Sequence, residues 1–295
     1  MIYHNPNVES AKQWIENATL GRREFLERLL AASGALASTA VVPSLQASDF
    51  NSRKKSLRIG HHFWNWDHAW NKGESLDERL RLTKETGYEG FEAKPEEIGR
   101  PAEEVRQKCA ALGIRCAAIG GGLSDGIEYA QAAGAKIVRA YVPKEGTKRW
   151  VEYAGERGIL LVVHPHLATP GGPDAVETRE DLLRYLDARP GVFACPDTGH
   201  LALCGSDPVQ TIRDLGERCR YIHLKDIRPE RVGKKEGTRE KFCELGTGAL
   251  DLPGVIKALE SIQYDGWIMV ERDSREPDYV QSARNMRAVL RRFGY

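Results

Sequence analysis

Residues 159–170 read ILLVVHPHLATP. Five successive apolar residues form a run too short for a helix and apolar enough for a buried strand. The run then ends in two histidines. Side chains two apart on a strand point to the same face, so His164 and His166 project together from its C-terminal end.

The same unit recurs in both directions. After Asn51, short apolar runs alternate with longer polar-faced segments of helical period. Strands are predicted at 57–64 (LRIGHHFW), 87–93 (GYEGFEA), 114–120 (IRCAAIG) and 136–142 (KIVRAYV). Four more follow at 159–166, 192–200 (VFACPDTGH), 221–227 (YIHLKDI) and 267–273 (WIMVERD). Between them lie helical segments such as SLDERLRLTKET, PAEEVRQKCAAL and DLPGVIKALESI, the last opening on Asp251 as an N-cap. Eight strand–helix units in about 245 residues predict an α/β fold, a closed parallel (β/α)8 TIM barrel in a single domain, with a doubly wound open sheet as runner-up. No Gly-rich phosphate fingerprint follows the first strand, and GGG at 120–122 lacks dinucleotide-binding spacing, so no nucleotide cofactor is expected.

Composition narrows the partners. Among 295 residues, 43 Lys and Arg balance 42 Asp and Glu, which gives no electrostatic reason for nucleic acid or an anionic membrane. A small molecule is the default partner. The six cysteines (Cys109, Cys116, Cys195, Cys204, Cys219 and Cys243) show no CxxC pair, which disfavours a structural zinc module. Sequence leaves their redox state open.

The N-terminal region reads differently from the rest. Residues 21–47, GRREFLERLLAASGALASTAVVPSLQA, place an arginine pair before an uncharged 14-residue stretch, 29–42, which is short for a membrane span and rich in Ala, Ser and Gly. The segment resembles twin-arginine export signals through Arg22, Arg23, Phe25 and Leu26, while Gly21 and Glu27 depart from that pattern. The competing reading, an amphipathic helix, lacks a polar face in the Ala/Ser-rich part. A leader over 1–50, a catalytic barrel over 51–295, export to the periplasm and no stable membrane span are therefore expected. Cleavage after Leu45-Gln46-Ala47 or after Ala35-Leu36-Ala37 fits the small-residue rule.

In a parallel barrel the chemistry gathers at the C-terminal ends of the strands. Here those ends carry His61 and His62, Glu92 and Lys94, His164 and His166, Asp197 and His200, His223, Lys225 and Asp226, then Glu271 and Asp273. One strand-end histidine means little, but four consecutive strands ending in imidazole or carboxylate groups predict a mixed N/O site for a divalent metal. That donor set suits Mn, Co, Mg or Zn. His61, His62, Trp64 and Trp66 lie in HHFWNW, whose aromatic rings can wall a sugar's C–H face or simply pack the barrel mouth.

The runs PDTGHL, YIHLKD and GWIMVERD, with ELGTGALDLPGVIKAL between the last two, resemble the xylose-isomerase-like sugar isomerase/epimerase superfamily over residues 57–295. That resemblance implies a metal-dependent barrel whose ion is held by a Glu, an Asp, a His and a Glu on strands five to eight. Asp197, His223 and Glu271 match three of these. The fourth departs: where family members read Glu-x-His, this chain reads His164-Pro165-His166, so His164 stands at the ligand position and His166 matches the family histidine. Inosose dehydratases share a histidine-rich strand-five end. His164 is thus a metal ligand or an acid–base group.

The resemblance implies a sugar isomerase or epimerase that takes a proton from the carbon α to a carbonyl and stabilises an enediolate, with a lyase or dehydratase using the same intermediate for β-elimination as runner-up. Glu271, His164, His200 and Lys225 are the expected catalytic groups, and His61, His62, Trp64, Glu92, Lys94 and His166 the expected substrate contacts, Glu92 as acceptor of a substrate hydroxyl. Lys225 has an equally simple reading as an ion pair with Asp197 or Glu271. Export and the lack of a basic anion pocket favour an unphosphorylated sugar, keto-sugar or inosose. A repair endonuclease is disfavoured by the balanced charge. A non-catalytic, metal-dependent sugar-binding protein is the alternative from another class, and a homo-oligomer is compatible with the fold.

Overall fold

The computed structural model describes residues 57–63, 75–167, 175–236, 240–273 and 278–295. The export-signal segment, Trp64 and Trp66 lie outside these residues. The barrel unit runs from Lys55 to Tyr295.

Eight parallel strands form one sheet: β1 (Arg58–His62), β2 (Gly90–Ala93), β3 (Arg115–Gly120), β4 (Ile137–Arg139), β5 (Leu160–Val163), β6 (Phe193–Ala194), β7 (Tyr221–Leu224) and β10 (Trp267–Val270). Their order is β6-β5-β4-β3-β2-β1-β10-β7. The ring is closed by parallel bridges Ala194–Cys219 and Asp197–His223, with the His223 N–H donating to the Pro196 carbonyl. This is the (β/α)8 barrel that the eight-unit count implies.

Helices cover the outside: α1 (Leu76–Glu85), α2 (Pro95–Ile98), α3 (Ala102–Leu112), α4 (Leu123–Ala133), α5 (Thr147–Gly155), α6 (Arg179–Asp187), α7 (Thr198–Leu203), α8 (Pro208–Leu215), α9 (Leu252–Ser261) and α10 (Tyr279–Arg292). Ser75 caps α1 by accepting the Glu78 N–H, and Asp251 caps α9 by accepting the Gly254 N–H. Each such cap is worth about 1 kcal/mol.

Two strand ends are shorter than their sequence runs. β5 stops at Val163 and β6 at Ala194, just before Pro165 and Pro196, which have no N–H to give a neighbouring strand. His164, His166 and Asp197 therefore sit on the loops immediately past the strands. The run 221–227 is also broken. At Lys225 the backbone N–H leaves the sheet for Thr198 Oγ1, and Asp226–Ile227 becomes β8, paired antiparallel with β9 (Phe242–Cys243).

The interior is filled from below. Tyr221, Trp267 and Met269 point inward with Ile137, Val162 and Cys195, and the large rings are accommodated by glycines. A Cβ on Gly60 would lie 2.7 Å from Met269 Cε, and one on Gly90 2.8 Å from Trp267 Cη2. Period-two alternation then fixes what lies one step higher on the same inward face: His62, Glu92, Arg139, His164, Asp197, His223 and Glu271. The outer core, between sheet and helices, is built from residues such as Ile59, Phe91, Val138, Leu161, Ile222 and Ile268. Among the described residues, no helix is long and apolar enough to cross a membrane.

Candidate metal centre and active site

His164, Asp197 and His223 offer ligand atoms that all lie within 4.8 Å of one another, and all three side chains are buried. Glu271 joins them, with Oε2 2.7 Å from His223 Nδ1; Asp197 Oδ2 is 3.7 Å from the same nitrogen. Asp197 Oδ2, His223 Nδ1 and Glu271 Oε2 are buried and have no hydrogen-bond partner despite this proximity. Buried polar atoms are normally satisfied, and although the Lys225 ammonium lies 3.3 and 3.4 Å from the two carboxylate oxygens, the convergence of three atoms without a hydrogen bond makes this a candidate cation site.

The electrostatics agree. Asp197, Glu271, Glu92 and Asp273 face two cations, Lys225 and Arg139, which leaves an excess of two negative charges. Burial alone would raise each carboxyl, yet Arg139 holds Glu92, and Lys225 holds Asp197 and Glu271, well below the usual carboxylate range. Burial would likewise lower His223, but the anionic groups around it raise it well above its ordinary value. The site therefore demands positive charge at Nδ1, which a proton or a metal ion supplies. Burial, reinforced by the charges of Arg139 and His223, keeps His164 well below its ordinary value, so its imidazole is neutral at pH 7 and able to coordinate or to accept a proton.

Asp197 has a second duty. Its Oδ1 accepts the His200 N–H at 2.9 Å and caps α7, which aims Oδ2 at the cluster and mounts His200 beside it. His200 Nδ1 accepts the Leu167 N–H at 3.3 Å, which places the ring N–H on Nε2, 3.8 Å from Asp273 Oδ2. The His166 ring lies against His200, tilted by 35° with ring centres 4.1 Å apart, and burial pushes His166 down to about 4. Phe242, on the β8–β9 hairpin, closes the other side of His200 at 5.0 Å and lies 4.8 Å from the Lys225 ammonium.

Lys225 makes the ion pairs that its simpler reading anticipates, and a third. Nζ lies 3.3 Å from Asp197 Oδ2, 3.4 Å from Glu271 Oε2 and 2.7 Å from Asp273 Oδ2. Burial would lower its pKa, but these three anions more than offset that and raise it. At neutral pH Lys225 is an ammonium that donates rather than a base that abstracts.

The remaining expected residues divide. His62 is fully buried on the inward face, 3.7 Å from Glu92 Oε1. His61, one residue earlier, faces outward: its Nε2 is 2.7 Å from Thr83 Oγ1 of α1, its ring lies tilted against Tyr88 at 5.0 Å, and burial pushes its pKa down to about 3. It packs strand against helix and does not join the cluster. Lys94 sits at the rim, where its N–H donates to Glu97 and its ammonium is 4.0 Å from the same carboxylate. Glu92 is fully buried, and its carboxylate meets His223 and Arg139, not an open surface for a substrate hydroxyl. Asp226 turns away and accepts four backbone N–H groups, from Ile227, Gly246, Gly248 and Leu250, which organises the loop after β9. Arg139 is absent from the sequence-based set, although it shares inward parity with Ile137 in KIVRAYV. Asp273 stands at a strand end in that reading but receives no role there.

A closed parallel barrel with an imidazole–carboxylate cluster at the C-terminal ends of strands five to eight defines a class, parallel barrels with a candidate metal site at the face where such folds carry their chemistry. The sequence profile of the xylose isomerase-like TIM barrel family matches residues 122–291, and the chain belongs to that family. An inosose dehydratase of Clostridium botulinum (strain Alaska E43 / Type E3) is 31% identical over 137 residues, which are 43% of this chain and 45% of that protein. The chain thus spans about half the length of the curated relatives it matches. Among solved structures, an L-ribulose 3-epimerase superposes with a TM-score of 0.63 at 18% identity, covering 79% of this chain and 93% of that one. The IOLI protein with a bound zinc atom superposes with a TM-score of 0.62 at 17% identity, covering 79% and 98%. These two likenesses establish the fold.

Proposed function

We propose that the protein is a divalent-metal-dependent enzyme that removes a proton α to the carbonyl of an unphosphorylated sugar, keto-sugar or inosose, in an isomerase- or epimerase-type reaction. The convergence of Asp197 Oδ2, His223 Nδ1 and Glu271 Oε2, buried and without a hydrogen bond, carries this reading. His164, Asp197, His223 and Glu271 would hold the ion, and the zinc bound in the IOLI protein supports a metal in this barrel type. When bound, a divalent ion draws electron density from a carbonyl or hydroxyl oxygen and stabilises the enediolate left by proton removal.

The chain's own groups supply the rest. Glu271, held ionised by Lys225, is the proton acceptor within the cluster, and His164 takes that duty only where its neutral imidazole is not a ligand. His200 presents Nε2–H, and Lys225 an ammonium, as donors to substrate oxygens. His166 and Lys94 are the proposed substrate contacts among the described residues, with Trp64 assigned to the sugar face from sequence, while His62 lies buried behind them against Glu92. Lys225 and Arg139 are both held by carboxylates, which argues against a phosphate-bearing substrate.

A second reading, loss of a β-leaving group from the same intermediate, is favoured by two observations. The matched curated relatives are inosose dehydratases, and a two-base epimerase with paired glutamates lacks its strand-five Glu here, where His164 stands. The test is mass spectrometry and NMR of reactions run in deuterated water with protein loaded in turn with Mg, Mn, Co and Zn, against inososes, ketohexoses and 3-keto-glycosides. Deuterium at the α carbon with an intact skeleton supports isomerisation or epimerisation. A product lighter by water or an aglycone supports elimination. Metal-dependent binding without exchange or product across the panel refutes the enzyme and leaves the sugar-binding role. The proposal includes a leader over 1–50 with a twin-arginine-type signal and a periplasmic barrel, checked by the N-terminal sequence and location of the mature protein.

A further inference from the structure

We propose that Glu92, backed by Arg139, is a positioning residue that fixes the ring of His223 so that Nδ1 faces the metal cluster. The inference rests on the metal reading above, and it gives Glu92 a different task from contacting substrate. β2 and β7 are not neighbours in the sheet; β1 and β10 lie between them. Glu92 reaches His223 across the barrel interior, and a register shift against β3 between Phe91 and Glu92 re-aims its side chain for that reach.

Glu92 Oε2 accepts from His223 Nε2–H at 2.8 Å. With the proton held on Nε2, Nδ1 is left as the coordinating nitrogen, 2.7 Å from Glu271 Oε2 and 3.7 Å from Asp197 Oδ2. Glu92 Oε1 is also committed, accepting from Arg139 Nε at 2.5 Å with His62 Nε2 3.7 Å away. A fully buried carboxylate with both oxygens engaged has none to turn toward a substrate.

The support extends one residue further. A Cβ on Gly120 would lie 2.7 Å from Arg139 Nη2, so a glycine on β3 leaves room for the guanidinium to run beside Glu92. A fixed, doubly donated carboxylate holds one imidazole tautomer and one ring orientation, and such outer partners typically contribute 10–100-fold to metal affinity.

The test compares zinc affinity, by chelator competition, in the wild type and the Glu92→Gln variant, with 15N NMR of histidine-labelled, zinc-loaded protein to read which His223 nitrogen carries the proton. The expected result is binding about 10–100-fold weaker in Glu92→Gln, with the His223 Nε2–H signal lost or mixed. Should that variant fail to fold because Arg139 is left unpaired, the Glu92→Leu/Arg139→Leu double variant removes both charges and carries the same expectation. A folded variant with wild-type affinity and an unchanged His223 signal overturns the positioning role and leaves the metal reading intact. A wild-type protein that binds no zinc, manganese, cobalt or magnesium overturns both.

Discussion

Replacing Glu271 with Gln separates a metal ligand from a carboxylate that merely balances Lys225. In the structure Glu271 is one of four carboxylates facing two cations, and its Oε2 lies 2.7 Å from a nitrogen to which it is not hydrogen-bonded. The neutral amide removes one of the two excess negative charges, while Lys225 keeps Asp197 and Asp273 as partners. Without metal, the variant should therefore melt close to the wild type. With metal at 100 times the wild-type Kd, binding stabilises the wild type by about 2.7 kcal/mol. At 2–4 °C per kcal/mol for a barrel of about 240 residues, that is a rise of roughly 5–10 °C. If Glu271 is a ligand and its loss weakens binding about 100-fold, the same metal concentration gives only about 0.4 kcal/mol, a rise of about 1–2 °C. The assay is thermal unfolding of chelator-stripped protein with and without Mg, Mn, Co or Zn. A Glu271→Gln protein that keeps the full metal-dependent shift refutes the ligand assignment, and a wild type that responds to none of the four ions refutes the site itself.

Acid should destabilise the barrel before its carboxylates titrate. His61 is held near 3 by burial against an unfolded value near 6.5, so the unfolded chain binds the extra proton and stability falls as pH drops from 6.5 toward 3, by up to about 1.4 kcal/mol per pH unit for this one group. Urea midpoints measured across that range should show a shallower slope in a His61→Phe variant, and an unchanged slope would sink the account. Asp226→Asn should cost about 3 kcal/mol or more of stability, since one carboxylate serves four backbone donors, but should leave metal affinity within about twofold. A large loss of affinity in a variant of normal stability would return Asp226 to the active site.

Local pattern carries far in this chain because a parallel barrel is a repetitive object. Each strand is a short apolar run, each ends where its chemistry begins, and alternation of side chains along a strand assigns parity without any knowledge of neighbours. The fold, the cap at Asp251 and the grouping of His164, Asp197, His223 and Glu271 at one end were therefore readable from residues 57–295 alone.

Parity, however, does not say which face looks inward, nor what lies across the barrel. His61 and His62 are indistinguishable as neighbours in sequence, and only the packing of α1 on β1 sends the first to Thr83 and the second to Glu92. Asp226 and Lys225 sit side by side in YIHLKD, but the chain leaves the sheet between them, so one organises a loop and the other meets three carboxylates. Glu92 reads as a strand-end acid open to a ligand. Its contacts with His223, 131 residues away, and with Arg139 arise because a closed ring brings non-adjacent strands within side-chain reach of one axis. Sequence determined the strands and their chemical endings, while closure of the ring decided the partners, because contacts across an interior depend on the geometry of all eight strands at once.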